Sequence, residues 1–100
     1  MTNINIIYDI FDDKFDVVDI IAVPDEVVLK IEKIGQEFLN WRPPENDANY
    51  WVVFNGKKCL NKETNGFIKW LNSTYCKDLE KAQIVQQNTN YCPKYKSIEF

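Results

Sequence analysis

The stretch from Pro24 to Trp41, PDEVVLKIEKIGQEFLNW, decides how the rest of the chain is read. Pro24 suits the first turn of a helix, where its missing N–H had no partner to lose. Asp25 and Glu26 follow and set negative charge against the positive end of the helix dipole. Val27, Ile31, Ile34 and Phe38 recur at helical spacing, with Val28 and Leu39 widening the apolar stripe. Arg42-Pro43-Pro44 stops the run, because a residue before proline is pushed out of helical backbone angles. The spacing predicts one amphipathic helix of about four to five turns. Gly35 inside it costs roughly 1 kcal/mol against alanine.

Upstream of this helix, Ile4, Ile6, Tyr8 and Ile10 alternate as in a strand with one buried face. Asp12-Asp13-Lys14 is turn chemistry, and the β-branched run from Phe15 to Val23 reads as a second strand. A hairpin over residues 3–23 follows, with its acidic tip in solvent. Downstream, a polar loop (ENDAN) leads to Tyr50–Phe54. Asn55-Gly56 then fits a two-residue type I′ turn, which needs positive φ at both positions. That turn sets Val52 opposite Cys59 and Trp51 opposite Leu60. Tyr50–Phe54 is apolar on both faces, which predicts a central strand.

Asn61 is placed to cap a second helix, with Glu63 in its first turn and Phe67, Ile68, Leu71 and Tyr75 as its stripe, flanked by Trp70. Ile84 and Val85 carry β-character, and Asn88-Thr89-Asn90 reads as a turn. Tyr95–Phe100 can form a last strand with Ile98 and Phe100 on one face, approached through loop or sheet edge at Pro93. The order β-β-α-β-β-α-β-β predicts an α+β two-layer sandwich, with two helices on one face of a small, mostly antiparallel or mixed sheet.

The 100 residues suffice for one core, so residues 1–100 are expected to form a single domain. Three Trp, five Tyr and six Phe can fill that core densely. No apolar run approaches the length of about 18 residues that spans a membrane. The opening MTNINIIYDIFDD lacks a basic n-region, so a cytoplasmic protein is expected. Cys59, Cys76 and Cys92 are widely spaced, form no C-x-x-C pair and have no histidine to join them. They read as reduced thiols, with no metal and no cofactor implied.

The net charge of −3 is unevenly spread. Residues 1–50 hold eleven acids and four bases, while residues 51–100 hold four acids and eight bases. Asp9, Asp12, Asp13, Asp16, Asp19, Glu45 and Asp47 are therefore the candidate partner-binding residues, an acidic recognition face. The plainer reading is that aspartates gather where they suit a turn.

Catalysis is not expected. Histidine is absent, no G-x-S-x-G elbow, P-loop or dinucleotide fingerprint occurs, and Gly35, Gly56 and Gly66 are too dispersed to cradle phosphate. Asp12-Asp13 with Asp9 or Asp16 offers oxygen ligands to Mg²⁺ or Ca²⁺, but at no EF-hand spacing. An alternative function is a small nucleic-acid-associated or regulatory module. It would use Lys57, Lys58, Lys62, Lys69, Lys77, Lys81, Lys94 and Lys96, which are interleaved with Trp and Tyr. The acidic total, and the scatter of these lysines over strands, helix and tail, weigh against nucleic acid.

A binding module remains. Nucleases expose basic surfaces to hold a phosphate backbone, and an acidic inhibitor can cover such a surface in place of nucleic acid. The single small α+β domain, the acidic DIFDDKFD segment, the WVVFNG hairpin and the FIKWLN helix together resemble the small immunity proteins that bacteria encode beside polymorphic or contact-dependent toxins. The resemblance implies a cytosolic, non-catalytic protein that binds one cognate toxin domain, often a nuclease, and neutralises it.

Overall fold

Val27, Val28, Ile31, Ile34 and Phe38 are buried together, as their spacing requires, but the helix that carries them is broken. Residues Asp25–Val28 form α1 and Ile31–Asn40 form α2, with Leu29 and Lys30 as a turn between them. Lys30 leaves helical geometry at φ −116° and ψ 13°. Its N–H reaches back only three residues, to the Val27 carbonyl at 3.1 Å, and its own carbonyl accepts Ile34 N–H at 2.9 Å to restart the ladder. Val27 and Val28 lie about 100° apart within α1 and both are buried. Leu29, in the turn, is left outside, 81% exposed. The single helix expected from the spacing is thus two.

The computed structural model describes residues 1–9, 16–44, 47, 50–60 and 64–99. Among these, Thr2–Asp9 (β1) and Asp16–Val23 (β2) form the expected antiparallel hairpin. Trp51–Phe54 (β3) and Lys57–Leu60 (β4) form a second. Thr64–Thr74 is α3, and Gln83–Gln86 (β5) and Ser97–Glu99 (β6) complete the set. The main sheet runs β5-β2-β1-β6, with β6 parallel to β1 and the other pairings antiparallel. Ile10, the Asp12-Asp13-Lys14 turn, the Asn61 cap, Glu63 and Phe100 fall outside the described residues.

One face of the sheet carries the helices. Register pairs Ile4 with Ile21 and Ile6 with both Asp19 and Ile98, so these positions share a face. Ile4, Ile6, Ile21 and Ile98 pack into one core with Ile31, Ile34 and Phe38 of the second helix and Phe67, Trp70 and Leu71 of the third. Phe38 is the hub, edge-on to Phe67 and tilted against Trp70, each with ring centroids 5.3 Å apart. Burying one such side chain stabilises the fold by about 1.5–3 kcal/mol. Trp70 is buried in α3, whereas Ile68 and Tyr75 of the expected stripe are only half-buried.

The opposite face is closed by chain rather than by secondary structure. β5 and β6 both run parallel to β1 on opposite edges, so residues 87–96 must cross the sheet between them. Asn5, fully buried, ties this crossing down. Its Nδ2 donates to Cys92 O at 2.8 Å and to Ser97 Oγ at 3.2 Å, while its Oδ1 accepts Cys92 N–H at 3.1 Å. Thr89 N–H adds a bond to Val18 O at 2.9 Å. β1 is therefore covered on both faces, not on the one that alternation implied.

The β3–β4 hairpin has the expected turn, with Asn55 at φ 50° and Gly56 at φ 74°, and the expected register of Val52 with Cys59 and Trp51 with Leu60. The central placement expected for its first strand does not hold. β3 and β4 form a separate two-stranded sheet, and Val53 is 77% exposed. β1 and β2 already have neighbours on both sides, so no inner position is left for it. Trp51 instead anchors the ribbon, its indole N–H donating to Pro44 O at 2.7 Å.

Candidate functional site

The β1–β2 register pairs the backbone of Asp9 with that of Asp16, two of the candidate residues, at one end of the main sheet. Asp12 and Asp13, which join them in sequence, lie outside the described residues, as does Glu45. Asp47 is half-exposed in the loop before β3, where its N–H bonds Pro44 O and its carbonyl accepts Tyr50 N–H, both at 3.1 Å. Burial and the charge of Asp47 together push the Tyr50 phenol up from its ordinary value.

Asp19 departs from the expected face. It is 1% exposed and register-paired with Ile6, between the core residues Val17 and Ile21 of its own strand. One carboxylate oxygen accepts Asn88 N–H at 2.9 Å, where the chain turns through φ 50°, and the other is buried with no hydrogen-bond partner. A residue so placed fixes the 87–96 crossing and cannot meet a partner's surface. The run of aspartates hid this, although alternation puts Asp19 on the same face as Val17, Ile21 and the paired Ile6.

A different surface gathers around the exposed flank of α2. Lys33, Gln36, Glu37 and Asn40 recur at helical spacing, and with Trp41 and Trp70 they line a depression of about 440 Å³. Trp41, the first residue beyond α2, turns to ψ 141° ahead of the proline pair. Its ring centroid lies 6.2 Å from Trp70, 6.3 Å from Phe38 and 4.7 Å from Tyr50, the last edge-on. Tyr75 Oη donates to Glu37 Oε2. That hydrogen bond, then burial and the carboxylate's charge, hold the phenol's proton more tightly than usual. The sequence signal for this surface is the polar flank Lys33, Gln36, Glu37 and Asn40 followed by Trp41, which carries no excess of acid.

The basic half is partly engaged in holding the fold. Lys81 Nζ caps the end of the α3 region, donating to Cys76 O at 2.6 Å and Lys77 O at 3.1 Å, and Lys58 sits 5.1 Å from the Trp51 ring centroid. Cys76 is buried, which pushes its thiol up, away from the reactive thiolate. Among the described residues no group of three or more His, Cys, Asp or Glu could hold a metal ion, and no helix is long and apolar enough to cross a membrane. Comparison with known proteins finds no matching family model, no similar curated protein and no similar solved structure.

Proposed function

We propose that this chain is a cytoplasmic, non-catalytic protein-binding module that neutralises a cognate bacterial toxin, such as a nuclease, by covering a basic surface on it. The observation that carries this reading is the register that opposes Asp9 to Asp16. Like charges directly opposite each other cost a sheet stability, so this pairing, flanking Asp12 and Asp13 in sequence, supports a role other than folding. Asp9, Asp12, Asp13 and Asp16 form the proposed acidic end, with Glu45 and Asp47 as further contributors and Asp19 excluded by its burial.

The test reverses Asp12, Asp13 and Asp16 to Lys and measures association with the product of the adjacent gene by surface capture. Association should slow sharply, and that of the wild type should itself fall as salt is raised. Reversing Lys57 and Lys58 to Glu should matter less. If the lysine reversals abolish binding and the aspartate reversals do not, the acidic-end reading is wrong and the basic half becomes the interface.

A further inference from the structure

We propose that the depression between α2 and α3 is a seat for one arginine side chain of a protein partner. This rests on the reading of the chain as a binder of basic protein surface, and it names a second contact that such a partner would make. Trp41, half-buried, lines the depression above the buried Trp70, and an indole face carries the negative side of the ring quadrupole, which attracts cations more strongly than other aromatic rings do. Glu37 adds a carboxylate held in place through Oε2 by the Tyr75 hydroxyl. No cation among the described residues pairs with it. Half-buried Glu37 beside the Trp41 indole complements a cation in charge and in shape.

Guanidinium fits better than ammonium. It is planar enough to stack on an indole and weakly hydrated, and its fork of donors can reach Glu37 and the amide oxygens of Gln36 or Asn40 at once. Lys33 also lines the depression and repels a cation there, so the Glu37 carboxylate and the Trp41 ring have to outweigh it. Trp41 is braced by Phe38, Tyr50 and Trp70, so little ordering is needed on binding.

The experiment titrates the full chain with N-acetylarginine methylamide, followed by the indole N–H signals of Trp41 and Trp70 in a nitrogen-proton correlation spectrum. The citrulline analogue, equal in shape but uncharged, and the lysine analogue are run beside it. Saturable shifts at both indoles are expected with arginine, and affinity about fivefold or more weaker with citrulline and with Glu37→Gln. Tyr75→Phe should weaken binding by about twofold, since it only frees the carboxylate, and Glu32→Gln on the same helix should change nothing. Equal shifts from arginine and citrulline, wild-type affinity in Glu37→Gln, or no saturable shift up to about 50 mM would each overturn the seat. The probe is a blocked arginine, so these outcomes do not depend on the toxin. Loss of the seat leaves the aspartate reversals to be judged alone, and the converse holds equally.

Discussion

The β1–β2 hairpin and the β3–β4 hairpin look alike in sequence, each a pair of apolar-rich segments around a polar turn, yet they end in opposite surroundings. The first lies at the centre of a four-stranded sheet, with helices on one face and the 87–96 crossing on the other. The second is a ribbon attached through Trp51, with Val53 largely in solvent. Local pattern thus sets the pairing within a hairpin, while its burial depends on which distant segments take the flanking positions. For β1 those segments are β6 and Cys92, some ninety residues away.

The sharpest way to break this contrast is to truncate one side chain in each ribbon. Ile6→Ala should cost about 2–5 kcal/mol in urea unfolding, because it opens a cavity in the core. Val53→Ala should stay within about 0.5 kcal/mol. Comparable losses would mean the second hairpin is packed like the first.

Asn5→Ala comes next. It should cost about 1–3 kcal/mol for each buried backbone group left without a partner, and amide exchange at Cys92 should quicken. An unchanged Cys92 amide would show that the crossing is held by something else.

Glycine substitutions sharpen the contrast further. Gly56→Ala forces alanine into φ 74° and should cost about 1–2 kcal/mol, read as faster exchange confined to β3 and β4. Gly35→Ala should gain up to about 1 kcal/mol, because the added methyl would meet Ile98 at an ordinary 3.7 Å and helix propensity improves. A melting temperature lowered by Gly35→Ala would mean the α2–β6 contact is tighter than that distance allows.

The smallest expected effect is alkaline. The folded pKa of Tyr75 is raised above its unfolded value, so its contribution is whole below about pH 10 and is lost as pH climbs through the folded value. Tyr75→Phe should therefore flatten that limb of the stability profile. Cys76, raised by burial, acts with the same sign from lower pH in both proteins and cancels in the difference. Parallel profiles for the two proteins would contradict the Tyr75–Glu37 bond.

Much of the fold was legible because its cues are local: alternation in β1, the Asn55-Gly56 turn, and the stripe that ends in Phe38. The break at Leu29-Lys30 was not, since neither residue is a helix breaker. The burial of Asn5 and Asp19 was equally hidden. A polar residue in a strand signals solvent unless a partner for it is known, and both partners lie in the far crossing. Of the candidate site, the acidic end was visible as composition. The depression at Glu37 was not, because it needs Trp70 and Tyr75 of a separate element beside α2.

The parallel pairing of β1 with β6 also gives the molecule a history. Asn5 meets Ser97 across 92 positions of chain, so β1 leaves the ribosome long before the strand that completes it. At synthesis rates of about 5–20 residues per second, that interval is roughly 5–18 seconds. During it β1 can pair with β2 but presents a bare edge beside Ile4 and Ile6, the kind of edge on which nascent chains stick to one another. Residues 97–99 thus act as a late zipper: three short pairings that arrive last and close the flank of the sheet left open longest.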